Sequence, residues 1–251
     1  MSTVLITGAS KGIGRAIAKE FVSRGHRVVA TARNPHTLDD IDVDQRLALD
    51  VTDDASVAAA IKAAGEIDIL ISNAGVIFYA AVEAIPLSEL ERVFSQNTVG
   101  AIRVAQAVLP QMRERGSGRL LFMSSVAGRI VLPPGAAYAS TKWALEALIE
   151  ALAIEVGPFG IQAALLEPGA VSSGALDDVL TYRLPDDPYA SLLTGSVGHE
   201  GMITPEQVAA EVADAAESAE LPLRVPLGDA ARGLLAARHA APDDVPFTLG
   251  G

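Results

Sequence analysis

Tyr138 and Lys142 stand four residues apart in a helical segment, Ala136 to Val156, so both side chains lie on one helix face. A phenol with an ordinary pKa of about 10 is a slow base at neutral pH. A neighbouring ammonium and a helix N-terminus both favour the phenolate, which makes the pair a plausible acid/base unit. The same spacing also occurs on helices with no chemistry. Ser125 follows the apolar run Arg119 to Met123, and its hydroxyl can hold a substrate oxygen or bond its own turn. Asn97 interrupts a long helical stretch, Leu87 to Arg115, where asparagine is a mediocre helix former; it marks a bend or a water site.

A second group of residues is suited to a nucleotide. Thr7-Gly8-Ala9-Ser10-Lys11-Gly12-Ile13-Gly14 lies between the run Thr3 to Thr7 and a helical segment, Gly12 to Arg24. Glycines there let the backbone turn sharply and approach a pyrophosphate, which then meets the helix amides and the positive dipole end. The bland alternative is a connecting turn. Ser72-Asn73-Ala74-Gly75 ends another strand, where small residues admit a ribose and Asn73 can tie strands together or simply form a turn. Asp50-Val51 ends a third. Asp50 is expected at an adenine amine, and Thr52 or Asp53 at a helix cap.

The elements that position these groups alternate along the chain. Strand signals recur at Arg27 to Thr31, Arg46 to Leu49, Asp68 to Ser72, Ile161 to Leu166 and Leu223 to Pro226. Helical signals lie between them at Asp53 to Ala64, Pro205 to Ala219 and Asp229 to Arg238. That alternation predicts a doubly wound parallel α/β sheet with helices on both faces, in one domain spanning 1–251. Ligands then bind beyond the carboxyl ends of the strands, where the motifs fall. Half the residues are apolar and only 4% aromatic, which suits such a core. The irregular stretch from Ser172 to Thr204 is long enough to read as functional.

Composition narrows the classes further. A net charge of −12 opposes nucleic-acid binding. With no cysteine there is no disulfide, thiolate nucleophile or Cys-based zinc site. The four histidines show no metal-ligand spacing, so no metal is expected. With no leader-like opening and no membrane-spanning apolar run, a cytoplasmic protein is expected.

Taken together, Thr7-Gly8-x-x-x-Gly12-Ile13-Gly14, Asn73-Ala74-Gly75, Asn97, Ser125, Tyr138-x-x-x-Lys142 and Pro168-Gly169 follow one another in family order. The chain thereby resembles the short-chain dehydrogenase/reductase family over nearly its whole length. The resemblance implies a seven-stranded Rossmann-like sheet and a catalytic tetrad of Asn97, Ser125, Tyr138 and Lys142. It gives Tyr138 the role of general acid in carbonyl reduction, with Ser125 polarising the carbonyl oxygen. Lys142 would bind the nicotinamide ribose and lower the Tyr138 pKa, and Asn97 would anchor a water. The cofactor would meet Gly8, Ser10, Lys11, Gly12, Ile13 and Gly14 at its phosphates. Beyond these it would meet Arg33, Asp50, Val51, Asn73, Ala74 and Gly75, then Tyr138 and Lys142, and Pro168, Gly169, Val171 and Ser173 near the nicotinamide. Ser72 and Ser173 depart from the residues commonest in the family, as does the segment Leu223 to Gly251.

No carboxylate follows the strand Arg27 to Thr31 until Asp39, whereas Lys11 and Arg33 are cations. Preference for NADP(H) over NAD(H) follows. Apolar segments near Ser125, Pro133 to Ala136 and Gly169 to Val171 favour an apolar carbonyl or alcohol substrate, covered by Tyr182, Tyr189, Leu192, Leu193 and Met202. The helices Leu87 to Arg115 and Ala136 to Val156 are rich in small apolar residues, and a homodimer or homotetramer is expected. A nucleotide-sugar epimerase would be longer with a differently spaced glycine motif, and a nucleotide sensor would typically lack the Tyr or Lys.

Overall fold

The computed structural model describes residues 1–174, 179–193 and 202–248, without the side chains of Leu192 and Leu193. From the N-terminus run β1 (Thr3–Ile6), α1 (Gly12–Ser23), β2 (Arg27–Ala32), β3 (Gln45–Ala48), α2 (Asp54–Ala64) and β4 (Ile69–Ser72). There follow β5 (Phe78–Tyr79), α3 (Leu87–Phe94), α4 (Gly100–Arg115), β6 (Gly118–Met123) and α5 (Ala136–Val156). The chain continues with β7 (Ile161–Pro168), β8 (Leu180–Thr181), α6 (Pro205–Glu217), β9 (Arg224–Leu227) and α7 (Asp229–Ala240).

Seven strands form one sheet in the order β3-β2-β1-β4-β6-β7-β9, every pairing parallel, as the alternation of elements predicts. The strands are apolar on both faces because both are covered. Val4, Ile6, Val28, Ala30, Ile71, Leu121 and Leu166 pack toward α1 and α6. Their neighbours Leu5, Val29, Leu70, Leu120, Phe122 and Leu165 point the other way, toward α2, α4 and α5. Asp53 caps α2 by accepting from the amides of Ala55 and Ser56, at 2.7 and 3.0 Å.

Two expectations need correction. The stretch Leu87 to Arg115 is not one helix: a π-helical turn, Ser95–Val99, separates α3 from α4 and carries Asn97. Nor is the segment after Ser172 wholly irregular. Val171 pairs with Ile203, so the excursion leaves and returns at one point, and on the way β8 pairs with β5. Among the described residues no helix is long and apolar enough to cross a membrane.

Candidate active site

At the carboxyl end of β1 the chain turns into α1 through a cradle of bare backbone. Gly8 has φ +69°, and a Cβ there would lie 2.8 Å from the Cα of Ala74. A Cβ on Gly14 would come within 2.4 Å of both Asn73 Nδ2 and the Gly8 carbonyl. Only glycine fits either place. The Thr7 hydroxyl locks this turn to the end of β4 by accepting from the amides of Asn73 and Ala74, at 2.9 and 3.1 Å. The Asn73 amide donates in turn to the carbonyls of Thr7 and Gly8, at 3.0 and 3.2 Å. The α1 N-terminus therefore opens on a concave, side-chain-free surface, a fit for a pyrophosphate. Ser10 and Ile13 lie in this turn, partly buried. Ser173, from the far side of the sheet, lies within 3.3 Å of a Cβ placed on Gly12, so the segment after β7 closes over the cradle.

Lys11 and Arg33 are both exposed, at the start of α1 and just past β2. Asp50 Oδ1 accepts from the amide and hydroxyl of Thr52, at 2.9 and 2.7 Å. These bonds, with lesser help from Arg33 and Arg103, hold its carboxyl below the usual range. Two expected contacts are narrowed. Val51 and Val171 bury their side chains in the two cores, so only their backbones face a ligand. Gly169 lies beside the first turn of α7, where a Cβ would meet the Ala231 amide at 3.5 Å.

The four residues Asn97, Ser125, Tyr138 and Lys142 converge on one side of this cradle. Both Asn97 amide protons are engaged, one on the Val76 carbonyl at 2.9 Å and one on Thr141 Oγ1 at 3.1 Å. Its Oδ1 accepts from the Val76 amide at 2.8 Å. The π-turn thus ties the loop after β4 to α5. Ser125 Oγ accepts from the Ala127 amide at 3.1 Å and reaches the Pro168 carbonyl at 3.4 Å. The Tyr138 hydroxyl lies near Ser125, which favours its phenolate form. Lys142 is buried, and its Nζ donates to the Met123 carbonyl at 2.7 Å and lies 5.6 Å from the Tyr138 ring centroid.

Burial dominates the electrostatics of Tyr138 and Lys142. Burial of the hydroxyl pushes Tyr138 up to about 12, opposed by the nearby Ser125 and reinforced by the nearby Tyr79. Burial also pulls Lys142 down to about 8, opposed by the negative charge of Glu146. The phenol is held as an acid.

Several neighbours escape a reading of motifs. Tyr79 on β5 packs against the turn before α5, its ring 3.6 Å from a Cβ placed on Gly135, while the Ala80 amide donates to the Pro134 carbonyl at 3.1 Å. Leu184 joins Phe78, Ala80 and Ala137 in a small apolar cluster, and the Tyr189 hydroxyl donates to Glu83. Tyr182 is exposed and Met202 partly buried; Leu192 and Leu193 lie outside the described side chains. Glu146, Glu167 and Arg224 sit behind the four residues. A carboxylate in the apolar run Ala163-Ala164-Leu165-Leu166-Glu167 is the signal that could have found them.

Known proteins share this architecture. A family model described as short chain dehydrogenase matches residues 2–182. A curated relative from Botryotinia fuckeliana, Oxidoreductase BOA17, is 36% identical over 89% of this chain and 87% of its own. The crystal structure of a short-chain dehydrogenase from Streptomyces avermitilis superposes with a TM-score of 0.83 at 36% identity, over 95% of this chain and 92% of that one. An alcohol dehydrogenase from the archaeon Thermococcus sibiricus, complexed with 5-hydroxy-NADP, gives 0.74 at 26% identity over 90% and 95%. The chain belongs to the short-chain dehydrogenase family and is an oxidoreductase of that class.

Proposed function

We propose that this oxidoreductase moves a hydride between NADP(H) and an apolar carbonyl compound or its secondary alcohol, with Asn97, Ser125, Tyr138 and Lys142 as its tetrad. The observation that carries the reading is the convergence of Tyr138 and Ser125 beside buried Lys142, next to the glycine cradle. When bound, NADPH supplies the hydride to the carbonyl carbon. With its pKa near 12, Tyr138 keeps its proton at neutral pH and gives it to the carbonyl oxygen. Ser125 donates to the same oxygen and polarises it. The Lys142 ammonium holds the nicotinamide ribose and stabilises the phenolate left behind. Asn97 fixes the π-turn, whose interrupted backbone bonding offers a carbonyl to a water between Lys142 and solvent.

The cradle residues Gly8, Ser10, Gly12, Ile13 and Gly14 would hold the pyrophosphate, and Asn73, Ala74 and Gly75 a ribose. Asp50, through the oxygen not bonded to Thr52, and the Val51 backbone would hold the adenine. Lys11 and Arg33 would hold the ribose phosphate, and Pro168, Gly169, Val171 and Ser173 the nicotinamide end. The segment 172–204 would cover an apolar substrate. Exposed Trp143, Leu148 and Ile154 on α5 support self-association into a dimer or tetramer, a role that a monomeric mass at micromolar concentration overturns. The test of the reaction is NADPH consumption against a panel of ketones, aldehydes and quinones. Binding without turnover across the panel overturns it.

A further inference from the structure

Behind the four site residues lies a cluster of charges that the reaction just described does not use. Glu146, one turn beyond Lys142 on α5, is 4% exposed. Its Oε1 accepts from Ser124 Oγ at 2.6 Å and its Oε2 from Arg224 Nε at 2.9 Å. Glu167, on β7, is 2% exposed, and burial together with the nearby charge of Glu146 raises its carboxyl pKa. Its Oε1 is buried with no partner among the described residues. Gly128 leaves room for this packing, since a Cβ there would lie 2.8 Å from Ser124 Oγ and 2.9 Å from Glu146 Cγ. The other charges that face the cluster are Arg129 after β6, Glu150 on α5, bonded to Arg224 at 2.6 Å, and Lys142.

A buried carboxyl oxygen without a bonding partner, close to a second carboxylate, is costly to ionise. Glu146 has a guanidinium and a hydroxyl to stabilise its charge. Glu167 has a desolvated oxygen with no partner among the described residues, so the proton belongs on Glu167. Each member also adjoins a residue of the site. Ser124 precedes Ser125, Glu167 precedes the Pro168 whose carbonyl meets Ser125 Oγ, and Glu146 faces Lys142 along the same helix. Resting on the reading of Ser125, Tyr138 and Lys142 as the reaction centre, we propose that Glu167 keeps its proton beside Glu146 and that the two form a positioning pair that holds Ser125 and Lys142 in register with Tyr138. Arg224 brings the β9 strand into this pair, which gives the C-terminal part of the chain a role at the site.

The proton is read without turnover by isotope-edited infrared spectroscopy of the whole chain at about pH 6, below the Glu167 pKa of about 7. The parent is expected to show the carbonyl stretch of a buried protonated carboxyl group, and Glu167→Gln to lack it. No such band in the parent overturns the proposal. Positioning is read in kinetics: Glu167→Ala is expected to lower kcat about tenfold or more, because small displacements at a reaction centre are costly. Glu167→Gln, which keeps a donor toward Glu146, recovers most of that loss. Equal losses in both variants, or none in either, overturn the positioning role; if Glu167→Ala does not fold, the shorter Glu167→Asp replaces it. Glu146→Gln removes the charge that keeps Lys142 protonated, so the alkaline limb of kcat moves to lower pH and NADPH affinity, measured by fluorescence, weakens. If the carboxyl band is present while Tyr138→Phe leaves turnover intact, the reading of the reaction centre fails, and the positioning role with it. If no substrate in the panel turns over, unchanged NADPH affinity in Glu146→Gln overturns the role.

Discussion

Two tyrosines separate the floor of this site from its cover. Tyr138 projects from a 21-residue helix, and its hydroxyl is desolvated beside a buried serine. Tyr189 lies on the excursion that leaves at Val171 and returns at Ile203, and its hydroxyl meets Glu83 in an exposed contact. The floor is cross-tied by Thr7, Asn73, Asn97 and Thr141, each bonding between separate elements. The cover is held by a two-residue strand, Leu184 and surface contacts. The difference teaches that chemistry is placed where side chains cannot relax, and substrate choice where they can.

The comparison breaks most visibly at Tyr138. Tyr138→Phe keeps the ring and removes the proton donor, so turnover is expected to fall by about 10²–10⁴-fold while NADPH binding survives. Steady-state kinetics with a fluorescence titration checks both, and activity within tenfold of the parent removes Tyr138 from the mechanism. Arg33→Asp comes next. Charge-assisted bonds to a phosphate are worth about 1.5–3 kcal/mol each, so NADPH preference is expected to drop more than about tenfold and NADH to approach parity. The measurement is kcat/KM for both cofactors, and a parent that prefers NADH reverses the assignment.

Smaller effects are expected from the cover and from the buried acid behind the floor. Tyr182→Ala and Tyr189→Phe should change the ranking of substrates more than the KM for NADPH. An unchanged substrate profile in both variants removes the cover's role. Glu167 binds its proton more tightly in the folded chain, where burial lifts its pKa from 4.5 to about 7. Its contribution to stability is therefore complete below about pH 4.5 and lost as pH rises through about 7. Glu167→Gln should flatten that part of a plot of Tm against pH, and an unaltered slope contradicts the assignment.

Strand and helix placement was legible because a covered parallel sheet needs apolar runs of strand length between helical periods, and this chain writes them without interruption. The glycine turn and the Tyr138–Lys142 spacing were legible because each depends on near neighbours: a positive φ, a close backbone approach, one helix turn. The π-turn at Asn97 was less so, since only a mediocre helix former marked it. Pairing of β5 with β8 joins residues that no local pattern relates. The same holds for the Glu146–Glu167–Arg224 cluster, drawn from α5, β7 and β9. The burial that sets the protonation of Tyr138 was not legible, because a neighbouring ammonium is a sequence fact and desolvation is not. The amino-acid order determined by itself the fold class, the cradle and the candidate reacting groups. Tertiary structure alone decided which groups lose water and which distant charges meet, because burial and long-range Coulomb contact exist only once the sheet and helices close together.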